Sequence, residues 1–136
     1  MTLKILVVDD YDSIRESFQL VFELCGHTVI LAAHADAAVG CVKADLAHNT
    51  RRNQIDVILT DYNMPPGRNG IELIREVKKL RPDMIIFLMS GTVTEDIVSV
   101  ALATGAKKVL RKPFTPYEIV DELKIVKAVL ELSSCV

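Results

Sequence analysis

Met84-Ile85-Ile86-Phe87-Leu88-Met89, closed by Ser90-Gly91, is an unbroken apolar run of strand length with turn residues behind it. A run without alternation is what a strand covered on both faces requires, because neither side of it meets water. Downstream, Thr92-x-x-Glu95 reads as a capped helix start and Gly105 as the stop of that helix. Upstream, Asn69-x-x-Glu72 starts a helix through Leu80 that Pro82 closes. The phrase is strand, then helix, and it repeats.

Leu3 to Val8 is a first strand, and Ser13-x-x-Glu16 reads as the capping box of a helix with Ile14, Phe18, Val21, Phe22 and Cys25 on one face, ended by Gly26. Thr28 to Ala32 is a strand, Ala35 to about Ala47 an Ala-rich helix, and Ile55 to Thr60 a strand ending at Asp61. Lys108 to Leu110 is a short fifth strand, followed by Thr115-Pro116-Tyr117-Glu118, a capping box with proline at its favoured first helical position, and a helix to about Leu132. Five strand-helix units in alternation predict an α/β fold with a parallel sheet covered on both faces, because right-handed crossovers must return the chain through helices.

The chain has 136 residues, 50% of them hydrophobic and 25% charged, which suits one domain spanning residues 1–136. Its net charge of -2 gives no positive field for nucleic acid or an anionic membrane. No apolar run approaches the ~18 residues of a membrane span, and Cys25, Cys41 and Cys135 match neither a zinc site nor a C-x-x-C motif. A reduced, cytoplasmic protein is the expectation.

In parallel sheets of this kind, ligands sit beyond the carboxyl ends of the strands. Asp9 and Asp10 follow strand 1, Asp61 follows strand 3, Ser90 strand 4 and Lys112 strand 5. Singly, an Asp there caps a helix and a Lys is solvated. Jointly they aim at one rim, and Ser13 already supplies the first helix with a cap, which frees Asp9 and Asp10. Two carboxylates ~4 Å apart repel by about 4 kcal/mol at an effective dielectric near 20, so a cation is implied. Hard oxygen ligands suit Mg²⁺, and the set resembles a phosphoryl-transfer centre with a carboxylate nucleophile, a lysine and a hydroxyl.

Val7-Val8-Asp9-Asp10, Leu59-Thr60-Asp61-Tyr62-Asn63-Met64-Pro65, Phe87-Leu88-Met89-Ser90-Gly91 and Lys112-Pro113-Phe114 together resemble the receiver domain of two-component response regulators, from Ile5 to about Leu130. The resemblance is to the single-domain, chemotaxis-response-regulator-like type. The resemblance implies a flavodoxin-like, three-layer (βα)5 sandwich with strand order 2-1-3-4-5. It implies that Asp61 accepts a phosphoryl group from a histidine kinase or histidine phosphotransfer protein, and that the helix 4, strand 5 and helix 5 surface then signals to a downstream effector. Asp10 would bind Mg²⁺ directly, Asp9 through a water, Asp61 as phosphoacceptor and Asn63 through its backbone carbonyl. Ser90 would hold the phosphoryl group, Lys112 would pair with Asp61, and the Lys112-Pro113 bond would be cis. Asn63 and Thr92 stand where the family tunes phosphoryl lifetime. The domain would be a phosphoacceptor that catalyses only its own phosphorylation and dephosphorylation, with no output domain in this chain.

Two departures stand out. Between Pro65 and Gly70 lie four residues, Pro66-Gly67-Arg68-Asn69, where the family usually has three. The switch position three before Lys112, normally aromatic, is Val109. Leu20 lies off the core face of helix 1, where the family docks its kinase. In the last helix, Ile119, Leu123, Val126 and Leu130 form a core seam, and Ile125, Val129 and Leu132 a second stripe suited to a partner or a weak homodimer. His27, His34 and His48 read as surface residues without partners. Two other readings stay open: a haloacid-dehalogenase-like, Mg²⁺-dependent phosphatase using Asp10 of Asp10-x-Asp12, and a receiver-like adaptor that is never phosphorylated.

Overall fold

The computed structural model describes residues 2–134, so Cys135 lies outside the described residues. Strands β1 (Lys4–Val8), β2 (Thr28–Ala32), β3 (Val57–Asp61), β4 (Ile85–Ser90) and β5 (Lys108–Arg111) alternate with helices α1 (Asp12–Leu24), α2 (Ala35–His48), α3 (Gly70–Leu80), α4 (Glu95–Thr104) and α5 (Pro116–Ser134). All neighbouring strands pair in parallel, in the order β2-β1-β3-β4-β5. The alternation of side chains along each strand divides the core in two. Leu6, Val8, Ile58, Ile86 and Leu88 face α2, α3 and α4, whereas Ile5, Val7, Val57, Leu59, Phe87 and Met89 face α1 and α5. The central strands are thus buried on both sides, as their continuous apolar runs require.

The stops read from glycine hold: Gly26 and Gly105 have φ of 90° and 124°, the left-handed region that L side chains rarely adopt. Two starts differ. Helix α1 begins at Asp12 with no side-chain cap, and Ser13 lies inside it, its carbonyl accepting the Ser17 hydroxyl at 2.9 Å. The turn into α1 is shaped instead by Asp9, whose Oδ1 accepts the Tyr11 N–H at 3.0 Å, so Asp9 has a local job as well as a place at the rim. Helix α4 is capped by Thr94, which accepts the Ile97 N–H, because Thr92 is tied back to Ser90.

Histidine is the other correction. His34 Nδ1 caps α2 by accepting the Ala37 N–H at 3.1 Å, and His27 Nδ1 accepts the Leu3 N–H at 3.2 Å. Burial, followed by the Lys127 charge, pushes the His27 imidazole below its usual pKa.

Strand β3 starts at Val57, later than its apolar run suggests, because the backbone before it is claimed elsewhere. The Ile55 N–H donates to Asp45 Oδ2 at 2.6 Å and the Asp56 N–H to the Lys4 carbonyl at 2.8 Å. Asp45, buried on α2, also accepts from Lys4 Nζ and Asn49 Nδ2, each at 2.7 Å. It therefore ties α2 to β1 and to the approach to β3 at the amino end of the sheet. Among the described residues, no helix is long and apolar enough to cross a membrane.

Candidate functional site

The parallel register carries Asp9, Asp61, Ser90 and Lys112 to one edge. Val8 pairs with Thr60, Asp61 with Met89 and Ser90 with Arg111, so each strand ends beside the next. Asp9, Asp10 and Asp61 offer carboxylate oxygens that all lie within 4.8 Å of one another. Lys112 Nζ bridges two of them, 3.1 Å from Asp61 Oδ1 and 3.3 Å from Asp9 Oδ2. Two of the three carboxylates thus share one ammonium.

Burial pushes the Asp61 carboxyl above its usual pKa; Lys112 opposes the shift, and Asp9 and Asp10 reinforce it. Burial works against the Lys112 ammonium, but Asp61 and Asp9 outweigh it and hold its pKa above the usual value. Asp10 Oδ1 is buried with no hydrogen-bond partner among the described residues. A buried acceptor without a donor is costly, and together with the excess negative charge it is the environment a hard divalent cation relieves. The donor set therefore fits Mg²⁺: carboxylate oxygens from Asp9, Asp10 and Asp61, with Asn63 two residues past Asp61 on the same edge.

Ser90 ends β4 as expected, but its hydroxyl is turned onto its own loop, donating to the Thr92 carbonyl at 2.6 Å and accepting the Thr92 N–H at 3.2 Å. Lys112-Pro113 is cis. Val109 is half-buried against the α2–α4 side of the core. Leu20 and the Ile125, Val129 and Leu132 stripe are exposed, while Ile119, Leu123 and Val126 are buried.

Two residues of the site escape a reading by motif. Arg15 Nη1 donates to the Asp9 carbonyl at 2.6 Å and Nη2 to Asp12, so α1 grips the backbone that aims the first two acids. Its position one turn into the helix after β1 is the signal that could have found it. Gly70 is the other: a Cβ there would lie 2.4 Å from the Asp61 carbonyl oxygen and 2.6 Å from Leu88 Cδ1. Since overpacking of this kind costs about 1–3 kcal/mol, Gly70→Ala is expected to lower the melting temperature and shift the Asp61 and Tyr62 amide resonances. An unchanged melting temperature with unmoved Asp61 and Tyr62 signals would show that the contact is easily relieved.

A family model, the response regulator receiver domain, matches residues 5–124. The transcriptional regulatory protein AruR of Pseudomonas aeruginosa is 34% identical over 124 residues, covering 91% of this chain and 49% of its own, so the chain spans about half the length of that relative. A chemotaxis protein CheY homolog of Campylobacter jejuni is 32% identical over 124 residues, covering 90% of each chain. Among solved structures, a CheY-like receiver domain protein of Methanospirillum hungatei superposes with a TM-score of 0.84 at 25% identity, over 98% of this chain and 99% of the other.

Proposed function

Because the chain belongs to the response regulator receiver domain family of two-component systems, we propose that it accepts a phosphoryl group on Asp61 in a Mg²⁺-dependent reaction and passes the signal on through its loops after β4 and β5. It is a signalling domain. The observation that carries the reading is the triad Asp9, Asp10 and Asp61 with carboxylate oxygens within 4.8 Å of one another and an acceptor on Asp10 left bare.

The donor is a phosphohistidine on a histidine kinase or phosphotransfer protein. A carboxylate oxygen of Asp61 attacks the phosphorus as the phosphorus–nitrogen bond breaks, and the imidazole nitrogen keeps the electron pair and takes up a proton. The Lys112 ammonium, already against Asp61 and Asp9, balances charge on the phosphoryl oxygens. Asp10 and Asp61, Asp9 through water and the Asn63 carbonyl would hold Mg²⁺, which when bound offsets the carboxylate charge and polarises the phosphoryl group. The Ser90 hydroxyl exchanges its bond to the Thr92 carbonyl for one to the phosphoryl group, which draws the loop inward. Val109 is too short to fill space as an aromatic ring would, so the rearrangement is led by the backbone from Ser90 to Glu95 and the start of α4.

The effector surface includes α4, β5 and α5, where Ile125, Val129 and Leu132 form an exposed strip too small to hold a tight dimer alone. Within residues 1–136 the chain acts as one receiver unit, in the cytoplasm. Intact mass after treatment with acetyl phosphate, with and without Mg²⁺, tests the reading. One phosphoryl adduct, dependent on Mg²⁺ and mapped to Asp61, is the expected result, and none under any condition would move the chain to the adaptor reading.

A further inference from the structure

The segment from Tyr62 to Asn69 leaves β3 beside the phosphoacceptor and is longer than its family counterpart by one residue within Pro66–Asn69. Its base is closed by the Gly70 N–H, which donates to the Tyr62 carbonyl at 2.7 Å. Its exit is fixed by the capping box of Asn69 and Glu72, at 2.9 and 3.0 Å. Met64, next to Asn63, is buried in the core, and the outer arm beyond it carries a polar tie from Arg68. Nη2 and Nε of Arg68 donate to Asp36 Oδ1 at 2.6 and 3.2 Å, and Nη1 lies 3.9 Å from Glu76 Oε1. Asp36 is in the first turn of α2 and Glu76 is on α3. The lengthened loop is thereby fastened across two helices, and between its closed base and its fastened arm lies Asn63.

We propose that Arg68 is a positioning residue for the phosphoacceptor site, its latch to Asp36 holding the β3–α3 loop in the shape from which Asn63 can serve a bound Mg²⁺. The proposal rests on the Mg²⁺-dependent reading above. A loop ordered before the metal arrives leaves less ordering cost to be met on binding. The latch is exposed, and exposed pairs contribute little, so the effect is a modest change in affinity with a definite sign.

That sign separates a latch from a simple field effect. Arg68 is a cation and Asp36 an anion, so acting only at long range, loss of Arg68 would tighten Mg²⁺ binding and loss of Asp36 would weaken it. As two halves of one latch, both losses weaken it, and the double variant is no weaker than either single one. Mg²⁺ titration of the full chain, followed by the fluorescence of Tyr11 and Tyr62 beside the acids, compares wild type with Arg68→Ala, Asp36→Asn, the double variant and Arg68→Lys. The expected result is about two- to fivefold weaker binding in both singles, no further loss in the double, and partial recovery in Arg68→Lys. Nitrogen-15 relaxation of the metal-free proteins should show faster motion of Asn63, Met64 and Gly67 in both singles. Tighter or unchanged Mg²⁺ binding in Arg68→Ala overturns the latch. If wild type shows no saturable Mg²⁺ binding, the reading of the site fails, and the metal-free relaxation still decides the latch: unaltered loop motion in Arg68→Ala rejects it.

Discussion

Asp61→Asn is expected to abolish the phosphoryl adduct completely, while Asp10→Asn keeps an adduct on Asp61 that forms only at raised Mg²⁺. The asymmetry follows from what each carboxylate touches. Asp61 is buried at the end of β3 with Lys112 Nζ 3.1 Å away, and an amide in its place keeps the shape but is a poor nucleophile. Asp9 and Asp10 remain in that variant, so Mg²⁺ binding should weaken yet stay measurable. Asp10→Asn removes a proposed metal ligand and leaves the proposed nucleophile. Intact mass and peptide mapping at a series of Mg²⁺ concentrations check both variants. A metal-dependent adduct that survives in Asp61→Asn and maps to Asp10 would replace the receiver chemistry with that of the phosphatase reading.

The second large effect lies at the opposite end of the sheet. Asp45→Ala is expected to destabilise the fold by about 3 kcal/mol, because it removes the acceptor of the buried Ile55 N–H and of Lys4 and Asn49 together. For a chain of this size that corresponds to a fall in melting temperature of roughly 10 °C. Burial raises the pKa of Asp45, but the Lys4 ammonium, the Ile55 N–H and the Asn49 amide outweigh it and hold the carboxyl below its usual range. A depressed carboxyl contributes stability that is present above the unfolded pKa, near 4, and is lost as pH falls through the lower folded value. Wild type should therefore lose stability below about pH 4 more steeply than Asp45→Asn. Chemical denaturation at pH 7 and pH 3.5 measures both, and a difference between wild type and Asp45→Ala under 1 kcal/mol at pH 7 would show that water replaces the lost acceptor.

Asp45 also illustrates where reading by sequence stops. The strand runs and glycine stops were legible because periodicity and φ preference are local properties, and the four motifs were legible because each sits directly behind its own strand. An aspartate inside an Ala-rich helix carries no such mark, since its partners, Lys4 and Ile55, are distant in the chain and meet it only after the sheet has formed. The two misplaced caps fail for a related reason. Ser13 and Thr92 both have a Glu three residues on, but the turns before α1 and α4 are occupied by Asp9 and Ser90, whose side chains hold the backbone N–H of Tyr11 and Thr92. Local propensity lost to the site. His27 and His34 have partners that the sequence reading did not give them, because a ring nitrogen can accept a backbone N–H, which composition does not reveal.

Three acids crowded at one rim have a consequence for stability. Buried, crowded carboxylates lower the stability of the folded chain relative to the unfolded one, in which they are solvated and stand apart; the pKa of Asp61 is raised first by burial and then by Asp9 and Asp10, against the pull of Lys112. Replacing a rim acid with its amide relieves repulsion without opening a cavity, so inactive variants of this domain should be at least as robust as the active one. Stability alone therefore does not favour three acids at this rim.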